Sequence, residues 1–423
     1  MGSQLVVVLN DSSSIREAFS KSEFNGRPPN NCFCVFGIKS PFFMGDFNMW
    51  QEHRLFTLQS LKNLGFEKSK IEEEIQDEVS NFCDILKSYQ GLPLDFLAVL
   101  HPSLSNIICA LLFGKRYEYV DPERKALDKD LQAICKIIGQ TAAHIFFPWI
   151  RYIPLMLKWL NYDEGCQMYK HIEQIFNKQI EEHKSTLNPS SVRDYIDSYL
   201  IEMEARQKKD PNTTFTNKAL TGIVGDLFGA GSETGHTAIS WCMYTIAAYP
   251  DVQKEIQDEI LNVLGMDRKP EFSDQKLMPF THAFILEVMR WKSTVPLNIL
   301  RYTLANTSVA GYDIPQGTTI MANLWAVHHD PRNWEDPDTF KPERFLSPDR
   351  KSVVKSPHYM PFSVGKRACP GENLAYKEMF LYIVAILQKF DVRFPDGFVP
   401  NFQGAITITY KPKPFEIRFI PRS

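Results

Sequence analysis

Residues 360–371 read MPFSVGKRACPG, and no other stretch constrains the fold as much. Glycines stand at 365 and 371, Lys366 and Arg367 precede Cys369, Pro370 follows it, and Phe362 is close enough to cover the sulfur from water. Seven of the eight cysteines lack such surroundings. Gly365 permits a backbone turn that a side chain would resist, exposing amide N–H groups toward the sulfur. Pro370 suits the first turn of a helix, where its missing N–H costs nothing. A helix N-terminus and neighbouring cations favour the thiolate, the form that binds metal. Gly371 admits something flat and large.

Two readings of Cys369 stand on these residues. One is a buried structural cysteine in a Gly/Pro turn. The other is a single thiolate beneath a planar cofactor, because haem iron accepts one protein ligand on one face. Zinc is disfavoured: no CxxC occurs, and Cys32 and Cys34 are one residue apart. Eight cysteines in 423 residues are too sparse for a disulfide scaffold and read as reduced thiols in a reducing compartment. A net charge of −3 argues against a nucleic-acid partner. Hydrophobic content of 44% with 23% charged residues is that of a globular chain with a large core.

Periodicity gives mostly helix. Residues 66–90, 122–140, 163–184 and 191–208 repeat apolar positions at helical spacing with charged outer faces. Residues 216–248 form the longest candidate, stopped by Pro250; others run from Val252, over 273–292 and over 372–390. From 294, short β-rich runs between Gly and Pro turns predict a small sheet, then a long coil (328–368), and a terminal hairpin over 391–420. No repeat or linker divides the chain. Leu5–Leu9 is an apolar run that reads as a buried strand, far short of a span. Residues 137–160 are the most apolar long stretch, but Pro148, Arg151, Pro154 and Lys158 interrupt them, so they read as a helix end and loop that touches a membrane surface. The chain reads as soluble or peripheral.

LFGAGSETGHTAISW, 227–241, places Gly229, Gly231 and Gly235 inside a strong helix. Each costs roughly 1 kcal/mol relative to Ala, so a cofactor or substrate against the backbone is the expected reason. Glu233 beside Thr234 offers an acid and an alcohol, the parts of a proton relay. Glu287 and Arg290 are three apart on one helix face, as are Trp50 and Arg54 at i and i+4.

FSVGKRACPG resembles the cysteine loop of the cytochrome P450 haem-thiolate monooxygenases, F-x-x-G-x-R-x-C-x-G. The likeness extends over the whole chain and is to the microsomal family-2 group. It implies a mainly α fold with small β-sheets, a single large helical domain over 1–423 with haem buried between a long central helix and the cysteine loop. By the same likeness, Cys369 is the axial iron ligand and Arg367 meets a haem propionate, as do Trp50, Arg54 and Arg301. Phe362, Gly371 and Ala230 border the haem. Ala230, Gly231, Glu233 and Thr234 match A/G-G-x-D/E-T-T/S, with Glu233 and Thr234 catalytic; Gly235 departs from it, where the family has a hydroxyl residue. Glu287, Arg290 and Arg344 correspond to a buried ionic lock.

The resemblance further implies a monooxygenase acting on paired donors. Electrons come from NADPH through a flavoprotein reductase, with cytochrome b5 as a further partner, and one atom of O2 enters a lipophilic substrate: fatty acid, steroid or xenobiotic. The basic surface receiving the reductase is expected from Lys366, Lys377 and Lys62, with His53 on the same side. The pocket draws on 30–45, the apolar region near 136–150, 227–230, 294–300 and 404–406, with no charged anchor. Family members carry a membrane anchor, hinge, first strand and first helix before VVVLN, so the chain is expected to lack them and to leave an unpaired sheet edge. Attachment to the cytosolic face of the endoplasmic reticulum follows from the family alone, and sequons at Asn10, Asn212 and Asn306 are expected to be silent there. The alternative is a haem-binding protein or truncated variant with little turnover.

Overall fold

The computed structural model describes residues 4–29, 40–43, 45–65, 69–140, 147, 149, 152–159 and 161–422. Cys32, Cys34 and most of the two segments expected to supply substrate contacts, 30–45 and 136–150, lie outside or only partly inside them. The helices in chain order are α1 (Ser12–Ser20), α2 (Phe47–Asn63), α3 (Ser69–Ser88), α4 (Phe96–Phe113), α5 (Pro122–Gln140), α6 (Pro154–Trp159), α7 (Tyr162–Thr186), α8 (Tyr195–Gln207), α9 (Asn217–Ala248), α10 (Pro250–Leu264), α11 (Pro279–Lys292), α12 (Leu324–His328) and α13 (Glu372–Lys389). Their starts follow local chemistry. Asp11, Asp46, Asp194 and Thr216 each accept a backbone N–H of the first turn, and α10 and α11 open on a proline.

α4 is the helix that periodicity does not reveal. It is apolar nearly all round and contains Pro102, so it has no polar face to mark it. Its mean hydropathy of 1.9 makes it long and apolar enough to cross a membrane by composition, yet 67% of it is buried among the other helices. α9 is the central element and packs against α4, α13, α7 and α11. The expected helix over 273–292 is interrupted by Met278, with a 3₁₀ turn over Phe272–Leu277 before α11.

The strands are short. β1 (Val6–Leu9) pairs in parallel with β6 (Thr319–Ala322), which pairs antiparallel with β3 (Arg301–Tyr302), so β1 is an edge strand with Leu5 and Val8 exposed. β4 (Thr307–Val309) and β5 (Tyr312–Ile314) form a hairpin. β10 (Glu416–Pro421) joins β2 (Leu94–Asp95) to β7 (Phe390–Arg393), and a second hairpin, β8 (Ala405–Ile406) with β9 (Tyr410–Lys411), hangs between β7 and β10. The main apolar cluster surrounds α9, and a smaller one joins α1, β6 and α12. The cysteine loop runs between them, with Met360 in the small cluster and Phe362 against the large one. The site is thereby fixed between two cores.

Candidate functional site

A cavity of about 220 Å³ separates the middle of α9 from the cysteine loop. Trp50 and Arg54 of α2, Ala230, Gly231 and Thr234 of α9, and Phe362, Arg367, Cys369 and Gly371 of the loop all line it. Cys369 is surrounded by protein on every outer side, yet its side chain is accessible, so its sulfur opens onto the cavity.

The loop's shape follows from its residues. Cys369 N donates to Phe362 O (2.9 Å) and Ala368 N to Gly365 O (3.0 Å). Gly365 has φ +79°, and a Cβ there would lie 2.1 Å from Phe19 O of α1. Gly365→Ala is therefore expected to lose about 1–3 kcal/mol to backbone strain alone, more once Phe19 is displaced. A denaturation midpoint equal to the wild type's would show that α1 does not clamp the turn. Pro370 lies just before the helix, whose N-cap is Gly371.

The electrostatics of the sulfur differ from the sequence expectation. Burial pushes the Cys369 thiol above its ordinary value, and the Gly371 N–H and the Arg54 guanidinium only partly oppose this. Lys366 is exposed and points toward the Phe47 ring, so it does not contribute. A thiolate here requires a bound cation.

Arginines dominate the rest of the wall. Arg367 lies over the Trp50 ring (4.0 Å) and gives Nε to Asn25 O (2.7 Å), while Nη1 and Nη2 have no partner among the described residues. Arg54 donates to Ala368 O, and Arg301 to Asn25 Oδ1 and Val364 O, behind the cavity lining. Among the described residues none of these three pairs with a carboxylate. Burial, then repulsion from Arg27, Arg301 and Arg54, pulls Arg367 down to about 8. So much buried positive charge around one sulfur calls for an anionic ligand.

A family profile described as Cytochrome P450 matches residues 1–419. The chain belongs to the cytochrome P450 family. It is 34% identical to cytochrome P450 2U1 of Bos taurus over 99% of this chain and 77% of that one. Human cytochrome P450 2J2 is 35% identical over 91% and 76%. The steroid 17-alpha-hydroxylase/17,20 lyase of Oryzias latipes is 33% identical over 100% and 84%. The cofactor of a P450 monooxygenase is a thiolate-ligated haem, and the residues present fit it. The cavity offers a lone accessible sulfur on one wall and unpaired guanidinium nitrogens for carboxylates at its rim.

The α9 wall refines the P450 reading. Thr234 Oγ1 donates to Ala230 O (2.7 Å) and lines the cavity. Glu233 lies around the helix in an adjoining apolar cavity, where Oε1 accepts from Thr409 Oγ1 (3.1 Å) and Lys411 Nζ (3.3 Å) and Oε2 has no partner. Glu233 and Thr234 make no hydrogen bond to each other. Two of the three glycines are also closely packed: a Cβ on Gly231 would crowd Ile108 of α4, and one on Gly235 would lie 3.0 Å from Glu378. Gly231 lines the cysteine cavity and Gly229 the adjoining one, where a Cβ would meet Leu131 only at ordinary contact distance.

Glu287 holds the far side of the loop. Both its oxygens bind Arg290 (2.7 and 2.8 Å), and Oε1 also takes Arg344 Nε (3.3 Å) and Lys341 N (2.9 Å). Arg290 also donates to His328 O and Pro337 O, so the lock ties α11 to the coil before Cys369.

Sequence reasoning missed three cavity residues. Asp226, on α9, accepts from Ser40 Oγ and Phe43 N and borders both cavities; burial pushes it up to about 8. It is a polar anchor in a pocket expected to have none, and its place one turn before Ala230 on the same helix was the available signal. Arg27 reaches the cavity from β3's neighbourhood, with no local pattern to announce it. Glu378 is the third. Two surface assignments also change: Lys377 is buried, 3.8 Å from Glu72, and His53 is buried between Phe215 and Tyr199. Neighbours in sequence on a helix face in different directions.

Proposed function

We propose that this chain is a haem-thiolate monooxygenase that inserts one atom of O2 into a lipophilic substrate, with electrons from NADPH through a flavoprotein reductase. The observation that carries it is the Cys369 sulfur opening onto a cavity walled by apolar side chains and by the Arg367 guanidinium, whose Nη1 and Nη2 have no partner among the described residues. Cys369 would hold the iron, and Arg367, Arg54, Trp50 and Arg301 the propionate side, with Phe362 and Gly371 bordering the sulfur and Ala230 the opposite face. When bound, the haem supplies reductive activation of dioxygen. The chain's own groups do the rest. Thr234 carries a hydroxyl at the cavity wall, free to turn from Ala230 O toward a bound ligand. Glu233, the residue before Thr234, is tied to Lys411 and places its carboxyl group in the adjoining cavity.

Substrate class follows from the walls. Ile134, Ile138, Phe176, Phe228, Ile299 and Ile408 line the adjoining cavity, and Ile299 borders the cysteine cavity too, so a fatty acid, steroid-like molecule or apolar xenobiotic is favoured. The steroid hydroxylase among the relatives supports that class. Reconstituting the haem-loaded protein with reductase and NADPH and screening lipids and drug-like molecules tests the reading. Oxygenated product is expected; NADPH consumption without any product across both classes would overturn it.

The site of action is the cytosolic face of the endoplasmic reticulum. Phe147, Trp149, Tyr152, Ile153, Leu155 and Met156 are exposed between α5 and α7 and suit a membrane surface. The reductase meets the cysteine side, where Lys366 is exposed and a groove bounded by Leu55, Leu58, Lys62 and Pro370 lies between α2 and α13. Exposed charges steer encounter and are screened over ~8 Å at physiological salt. Lys62→Glu with Lys366→Glu should slow reduction by the flavoprotein several-fold at low salt and leave haem content unchanged. Equal rates would move the docking face elsewhere.

A further inference from the structure

Glu378 is a carboxyl in the cysteine cavity that neither the sequence motifs nor the ionic lock account for. It is 2% exposed, on α13, nine residues after Cys369, and it lines the cavity with Thr234 and Cys369. Its Oε1 has no hydrogen-bond partner among the described residues. Its Oε2 lies 3.0 Å from where a Cβ on Gly235 would be, so the carboxyl occupies the space beside the backbone that the missing side chain leaves. Gly235 stands where the P450 motif has a hydroxyl residue.

We propose that Glu378 is the proton-holding residue of the cysteine cavity, taking the place on α9 that Gly235 leaves without a hydroxyl. The inference rests on reading the cavity as a haem-thiolate site. Burial alone pushes Glu378 up to about 8, so it carries its proton at neutral pH. From α9 it meets Gly235, with Thr234 on the same cavity wall, and Leu104 of α4 borders the same space beside Gly235. Arg27, Arg54, Asp226, Arg367 and Cys369 are the other charged or titratable groups lining the cavity; Asp226 is bound by Ser40 Oγ and Phe43 N, whereas Glu378 Oε1 has no such partner among the described residues. The step is a proton transfer. Glu378 gives its proton to Thr234 Oγ1 or to a water as that group releases its own proton further into the cavity, becomes a carboxylate, and takes one proton back from solvent, so one proton crosses per cycle and no electron moves. An unpaired buried acid of this kind is costly to keep unless it is used.

The test uses the haem-loaded protein, with infrared spectroscopy and with hydrogen peroxide released per NADPH oxidised. Asp226 is also protonated near neutral pH, so the readout is the difference between wild type and Glu378→Gln, which should hold a protonated-carboxyl band that is lost near pH 8. Gly235→Ala, which touches only the contact, should shift that band. Peroxide per NADPH should rise several-fold in Glu378→Gln and in Glu378→Ala. It should fall back toward the wild-type ratio in Glu378→Ala with Gly235→Ser, where a hydroxyl returns to α9. No carboxyl band in that difference spectrum, or peroxide release unchanged in both Glu378 variants, would overturn the assignment. A wild type that consumes no NADPH would count against the monooxygenase reading, while the infrared result would still decide whether Glu378 holds the proton.

Discussion

Glu287→Ala is expected to yield a chain that does not retain haem and unfolds at a much lower denaturant concentration. Glu287 and Arg290 are both fully buried, and Arg344 is nearly so. Removing the carboxylate strands two guanidinium groups in the interior and leaves the Lys341 N–H without its acceptor. Breaking a buried pair in this way costs about 3–5 kcal/mol, a large part of the ~5–15 kcal/mol that holds a typical domain together. The loss also has a direction. Arg290 binds His328 O and Pro337 O, and Arg344 binds carbonyls of 335–339, so the freed charges pull on the coil that leads to Cys369. Glu204→Ala is the control: Glu204 and its partner Lys208 are 59% and 71% exposed, and such a pair is worth less than about 1 kcal/mol. Equal midpoints for Glu287→Ala and Glu204→Ala, with full haem content in both, would reduce the lock to an ordinary ion pair.

Much of this architecture was legible because its causes are local. The amphipathic helices α3, α5, α7 and α8 carry their solvent face in their charges, and α9 ends where Pro250 requires it. The cysteine loop was legible for the same reason: Gly365 and Pro370 state a backbone geometry. α4 was not, because a helix buried nearly all round has no second face to set a period against. The close packing of Gly231 and Gly235 was not legible because their neighbours, Ile108 and Glu378, are distant in sequence. The same holds for the charge on sulfur. Lys366 and Arg367 flank Cys369 along the chain, but only three-dimensional burial reveals that Arg54 is the cation that acts on it and that desolvation outweighs it. Lys377 fails likewise, since its position after the loop says nothing about Glu72 on α3.

Cys369→Ser should abolish the reduced carbon-monoxide band of thiolate-ligated haem, while the same change at Cys135 or Cys242 leaves it intact. Serine nearly preserves volume, so the cavity and its guanidinium wall persist and the loss reports ligation alone. The comparison is sharp because the alternatives are closed off structurally. Cys83, Cys109 and Cys242 are buried in the apolar core with thiols pushed up by burial, Cys83 to about 12. Cys135 borders the adjoining cavity, but is itself buried and carries no cation beside it except Lys411, which is paired with Glu233. Among the described cysteines, Cys369 alone combines an accessible sulfur, an N–H from Gly371 and a guanidinium from Arg54. Its thiol is nevertheless raised by burial, so the thiolate forms with the metal and not before it. The variant should therefore still take up haem through the arginine wall, more weakly, and show no thiolate band. Retention of that band in Cys369→Ser would remove the iron from this loop. Its loss on mutating Cys135 would move the ligand to the adjoining cavity.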